Sequence, residues 1–317
     1  MKMDLNGSSD TRSRHTTYST ARFSLTLIFI VASLLGNGLV ICAIYRFRRL
    51  RSCSNLIILN LSVADVLFTL IVAPTNAYYW SQKKESIEVV ACFITGAPSY
   101  LLGIVSIYTL VFISIERFMA TKHPVRHRLV FNKKIIQIGV SIIWIWSGFL
   151  CGLPFALSRY VYVKEFFHCM VDLSASMTCT IILIICAYFL PGLTLTICNF
   201  YVLRAARIVQ RSRSCHSNSP DRKSSSAKLR FARERKASFC IIVIVATFVI
   251  CWTPYIIGGF AILLRNNSLP KKFMSAAVFL TIGNASLNPI IYGVMNNNFR
   301  KAFRDILCPQ SLPVRPS

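Results

Sequence analysis

Asp65 is a carboxylate in the middle of an uncharged run, LNLSVADVLF. A lone carboxylate in apolar surroundings is costly, so it must face other polar groups. Asn37, Ser106, Asn284 and Asn288 fall at similar depth in other apolar runs. Their oxygens, with Asp65 as the only formal charge, suit a small hard cation such as sodium. They suit equally a hydrated hydrogen-bond cluster that ties helices together. Spacing leaves both readings open. A second charged feature is Glu116 beside Arg117, at the basic end of another apolar run, with Glu234 just ahead of a third. If the inner ends of those two runs meet, Arg117 bridges Glu116 and Glu234. Such a half-buried pair is a poor source of stability but a good latch. Ordinary snorkelling at a membrane edge explains the same residues without any latch.

The elements that must position these side chains are long apolar segments. Seven are long enough to span a bilayer as helices: 22–45, 54–80, 92–121, 134–157, 175–203, 236–264 and 272–295. Of 317 residues, 54% are hydrophobic and 15% charged, well short of the roughly 25% charged residues of a soluble domain. The net charge of +25 is held mostly in alternate connections. Arg46, Arg48, Arg49 and Arg51 fill the first, Lys122, Arg126, Arg128, Lys133 and Lys134 the third, and 204–236 is densely basic. This is the positive-inside pattern, which explains the charge without a nucleic-acid partner and puts the N-terminus outside and the C-terminus inside. Residues 1–21 read as a polar, unstructured extracellular tail in which Asn6-Gly7-Ser8 is a glycosylation acceptor. The first apolar stretch is too long for a secretory signal and lacks a small-residue cleavage site.

After the last span, NFRKAFRDIL repeats Phe299, Phe303 and Leu307 at a spacing of four, with Arg300, Lys301 and Arg304 on the other face. That pattern predicts a short amphipathic helix on the inner leaflet. Cys308 ends it where palmitoylation or a free thiol fits equally. Of twelve cysteines, most lie in apolar spans and read as small hydrophobes. Cys92 and Cys169 fall in outer connections instead. No Cys/His cluster suggests a metal centre, and all five histidines lie outside the spans, which argues against an intramembrane enzyme. With Asp65 almost alone inside the membrane and no internal repeat, a transporter or channel is disfavoured. Prolines 74, 191, 254 and 289 sit inside spans and predict kinked helices in a bundle that changes shape.

Taken in order, these residues resemble the rhodopsin-like (class A) G-protein-coupled receptors. Gly36-Asn37 marks the first span, Leu61–Asp65 the second, and Cys92 with Ser114–Phe118 (SIERF) the third. Trp144 marks the fourth, Pro191 the fifth, Phe248–Pro254 (FVICWTP) the sixth and Asn288–Tyr292 (NPIIY) the seventh. The resemblance implies an all-α membrane protein, a seven-transmembrane helix bundle with a short C-terminal amphipathic helix. Residues 1–21 would be an extracellular tail, 22–295 the receptor domain and 296–317 the amphipathic helix and cytoplasmic tail, in a multi-pass protein of the plasma membrane. It implies a Cys92–Cys169 disulfide pinning the second outer loop, and an allosteric sodium pocket of Asp65, Ser106, Asn284 and Asn288. Arg117 would be the latch that swings into a heterotrimeric G protein, Trp252 the rotamer switch and Tyr292 an inward-rotating side chain. Ile107, Pro191 and Phe248 match a packing triad, and Val125 an apolar knob for the G protein.

The chain departs from that family in places. Phe118 replaces Tyr, Ala285 removes one sodium ligand, and Asn199 stands where a Tyr usually supports the active state. Ser99 occupies the position of the amine receptors' Asp and Ile282 that of the opsins' Lys, which argues against an amine ligand and against photoreception. The expected pocket is Ser99, Tyr100, Gly103, Trp252, Tyr255, Ile256, Gly259 and Val278, aromatic and weakly polar. NLIILNLSVAD and SIYTLVFISIERF are similar to galanin/allatostatin peptide receptors, whereas YGVMNNNFRKAF is more like melatonin-type receptors. A peptide is the first choice of ligand, a small apolar, lipid or melatonin-like molecule the second. Arg222–Ser226 (RKSSS) offers hydroxyls for regulatory phosphorylation, with receptor kinases and arrestin as the implied partners. Beyond the sodium ion no cofactor is expected.

Overall fold

The computed structural model describes the backbone of residues 6–82, 89–163, 168–215, 222–264 and 269–308, and side chains within 22–78, 92–163, 168–205, 238–264, 269–270 and 272–308. Asn6 as a glycosylation site, Glu234 as third member of the latch, and the hydroxyls of Arg222–Ser226 fall on side chains outside the described residues.

Ten α-helices are present among the described residues: α1 (Asn6–Arg46), α2 (Cys53–Gln82), α3 (Val89–Lys122), α4 (Pro124–Val130), α5 (Lys133–Leu157), α6 (Met177–Leu183), α7 (Leu190–Cys215), α8 (Arg222–Leu263), α9 (Lys271–Met295) and α10 (Asn297–Leu307). A π turn, Ile184–Phe189, joins α6 to α7 into one rod. Seven of the rods are long and apolar enough to cross a membrane, with limits within about two residues of those read from the sequence. Leu35, Ile145 and Ile250 stand on their outer surface, where lipid rather than water accounts for exposed apolar residues. The tail is a correction. Helix α1 begins at Asn6, because no proline or glycine between Gly7 and Gly36 interrupts it.

Helix starts follow local chemistry. Asn132 Oδ1 accepts from the Ile135 amide, Ser176 Oγ from Cys179 and Asn296 Oδ1 from Asn298, so each satisfies a donor the helix cannot. The π turn leaves carbonyls out of the regular ladder, and Tyr108 Oη on α3 donates to the Cys186 carbonyl at 2.6 Å. Polar side chains tie rods together where no water competes. Trp144 Nε1 on α5 donates to Asn60 Oδ1, and Asn60 Nδ2 donates to Thr109 on α3. Gly36 lets α1 approach α9 closely, since a Cβ there would sit 2.8 Å from the Pro289 ring. Asn37 Nδ2 then reaches the Ala285 carbonyl at 2.9 Å.

Helix α10 differs from the expected inner-leaflet float. Phe299 is fully buried and stacks on Tyr292 at 5.5 Å, while Leu307 stays exposed. Its apolar face is divided, the first turn docked on the bundle and the last left for lipid. Cys308, exposed, follows that last turn.

One β element stands out from the helices. Strands β1 (Tyr160–Val163) and β2 (His168–Val171) form an antiparallel hairpin in the second outer connection, with Tyr162 opposite Cys169. Cys169 is bonded to Cys92 at the start of α3, their Cα atoms 5.3 Å apart. The bond draws the hairpin across the outer end of α3. Gly96 makes room for it, since a Cβ there would meet Cys169 at 3.1 Å.

Candidate functional site

Beneath the hairpin lies a cavity lined from α3, the hairpin, the π turn and α8. Ser99, Tyr100 and Gly103 of α3 face Trp252, Tyr255 and Ile256 of α8 across it, with Ile107 and Phe248 at its inner end. Of the pocket residues read from the sequence, these six share one cavity. Gly259 lines a smaller adjoining hollow with Met170 and Tyr188. Val278 is displaced from the expected lining. At 2% exposure it belongs to a buried cluster with Val72, Leu102, Ala277 and Ile282. Pro191 is buried at the second position of α7.

The cavity also takes residues that spacing did not select: His168, Met170, Val171 and Leu173 from the lid, and Tyr188 from the π turn. A signal was available. His168 immediately precedes Cys169, so any bond that pins the cysteine pins its neighbour. His168 is 3% exposed and its Nδ1 lies 3.0 Å from Asn76 Oδ1 on α2. Its ring packs edge-on against Tyr255 (6.2 Å), Tyr255 against Trp252 (6.1 Å), and Trp252 stacks on Phe248 (5.4 Å). An aromatic column therefore runs from the lid to the inner core. Gly103 bears on it directly, since a Cβ there would sit 2.7 Å from the Trp252 ring.

Below the column, Asp65 is 3% exposed and its Oδ2 accepts from Asn288 Nδ2 at 2.8 Å. Asn284 Oδ1 is buried with no hydrogen-bond partner among the described residues, and Ser106 is buried as well. A carboxylate with an orphaned amide oxygen in the same span as its partner is a donor set that fits a hard cation. Asn37 donates through Nδ2 to the Ser33 and Ala285 carbonyls, and its Oδ1, like that of Asn284, is buried with no hydrogen-bond partner among the described residues.

At the end of α3 away from the hairpin, Glu116 is 1% exposed. Its Oε1 accepts from Ser54 Oγ at 3.0 Å and lies 2.7 Å from His127 Nε2. Its Oε2 is 2.8 Å from Arg117 Nε. That last approach lacks the alignment of a hydrogen bond, so the two adjacent side chains are held by charge alone. Ser54 and His127 are partners the sequence reading did not name. Val125 on α4 is 74% exposed beside this site. Asn199 on α7 donates to Ser114 on α3 at 3.3 Å. Tyr201 does not take over the missing tyrosine's place. It faces outward against Phe118, with Lys122 Nζ 5.3 Å from its ring.

The profile of the 7 transmembrane receptor (rhodopsin family) matches residues 36–292. The chain belongs to the rhodopsin family of seven-transmembrane receptors. It is a receptor, not an enzyme. It is 29% identical over 300 residues to the histamine H2 receptor of Cavia porcellus, covering 92% of this chain and 81% of that one. It is 28% identical to the tachykinin-like peptides receptor 86C of Drosophila melanogaster (90% and 58% covered) and 25% identical to the melatonin receptor type 1C of Xenopus laevis (91% and 68%). The fold superposes on squid rhodopsin with a TM-score of 0.78 at 22% identity, over 93% of this chain and 84% of that one. The names of these relatives divide among an amine, peptides and melatonin. The receptor's ligand class must therefore be argued from its own cavity.

Proposed function

We propose that the receptor sits in the plasma membrane with its N-terminus outside, binds a small, neutral, mainly apolar molecule in the cavity under the hairpin, and activates a heterotrimeric G protein through its cytoplasmic end. The observation that carries this is the cavity's makeup. Among its described lining residues none is acidic or basic except His168, and burial pushes that imidazole from 6.5 down to about 4, so it is neutral at extracellular pH. A cationic amine would have no counter-charge there. A peptide is the first choice on sequence alone; a lid bonded across α3 favours the small ligand named second. A screen of full-length receptor in cells, reading G-protein dissociation, tests it. Neutral small molecules should give the responses, and a set of hits consisting of peptides alone would reverse the order.

Three further assignments rest on the family and on the residues above. Asp65, Ser106, Asn284 and Asn288 hold a sodium ion that favours the resting shape. Asp65→Asn should then remove the sodium dependence of agonist affinity, and a wild-type affinity indifferent to sodium in a choline-replacement titration would remove the site. Cys308 is palmitoylated, a reading supported by its exposure after a turn that leaves Leu307 for lipid. Receptor kinases acting on Arg222–Ser226, and then arrestin, end the signal.

A further inference from the structure

His168 and Asn76 present the cavity with an acceptor of defined position. Asn76 Nδ2 donates to the Val72 carbonyl at 3.1 Å. Its Oδ1 is therefore the atom that faces the imidazole, and a carboxamide oxygen only accepts. The proton of the neutral ring must sit on Nδ1, which leaves the lone pair on Nε2. The hydrogen bond to Asn76 engages Nδ1 and not Nε2. His168 itself lines the cavity. Two other lining residues carry buried polar atoms without a partner among the described residues, Tyr100 Oη and Trp252 Nε1. Buried polar groups left unpaired are costly, and a lining that carries two of them beside the His168 ring suits a ligand that satisfies them. Trp252 Nε1 only donates, Tyr100 Oη donates or accepts, and His168 Nε2 accepts. The remaining walls, Met170, Tyr188 and Ile256 among them, are apolar or aromatic.

We propose that the ligand is a neutral aromatic molecule whose N–H or O–H donates to His168 Nε2 while an oxygen on it accepts from Tyr100 or Trp252, and that Asn76 sets this preference by holding the imidazole proton on Nδ1. The inference rests on the cavity being the ligand site. It adds that a hydrogen-bond donor on the ligand is required. Asn76 is a positioning residue. Because the ring touches Tyr255, a ligand drawn to Nε2 acts at the top of the aromatic column.

The test uses full-length receptor in lipid nanodiscs and two probes, indole and benzofuran, which share a shape and differ in one N–H. Affinities are measured by saturation-transfer NMR, and Ser99→Trp, which fills the cavity, defines the part of the binding that belongs to it. Indole should bind about tenfold tighter than benzofuran, the effect of one hydrogen bond in a dry site. His168→Phe should bring that ratio to about one, and His168→Gln, which restores an acceptor near Nε2, should recover it. Asn76→Asp, which draws a second proton onto the ring, should invert it. Equal wild-type affinities, or a ratio that survives His168→Phe, would overturn the donor requirement and leave the cavity reading standing. Binding of neither probe in the Ser99→Trp-sensitive fraction would overturn both.

Discussion

Arg117→Ala should reduce agonist-driven nucleotide exchange to background while the receptor still reaches the cell surface. The guanidinium is 15% exposed and held by a 2.8 Å charge contact to Glu116 that is not an aligned hydrogen bond, so it is a side chain that can leave. Glu116 keeps its two other partners, Ser54 and His127, when Arg117 is gone. The substitution therefore strands less charge than breaking a fully buried pair, which costs roughly 3–5 kcal/mol. The companion change, Glu116→Gln, frees Arg117 and should raise ligand-independent exchange. A purified receptor of native stability that signals normally with Ala at 117 would take the latch away from this residue.

Cys92→Ser and Cys169→Ser should each cause the same large loss of ligand binding and surface expression, and the double replacement should be no worse than either. The two sulfurs make one bond across 77 residues, and closing a loop of that length stabilises the fold by about 4–5 kcal/mol in the chain-entropy account. The site depends on it twice. The bond seats the hairpin on α3, and it places His168, the next residue, against Asn76. Cell-surface labelling with a binding assay checks the prediction, and clearly unequal single replacements would mean that one cysteine has a separate task. The pairing also explains why a two-stranded hairpin persists alone. Two strands are marginal in water, and this pair is anchored at Cys169 and packed through Tyr160 against Phe155.

The seven rods, their order and the positions of Asp65, Glu116, Arg117 and Trp252 were legible in the sequence. In lipid every backbone polar group must be satisfied within its own segment, so a long apolar run has essentially one local structure open to it. Charged or polar residues inside such runs are conspicuous for the same reason. What the sequence could not show is where the rods turn their faces. Val278 was expected at the cavity and lies in a buried cluster; Phe299 was expected at the lipid and stacks on Tyr292. Helical periodicity ranks positions around a rod, but in a uniformly apolar rod it does not say which neighbour each face meets.

The most consequential pairs join different elements: His127 with Glu116 across a turn, Asn199 with Ser114 across 85 residues, and His168 with Asn76 across 92. A polar side chain announces its need for a partner by its type alone. The partner is chosen by which rods and loops the tertiary packing brings within hydrogen-bond reach, and a one-dimensional pattern carries no information about that.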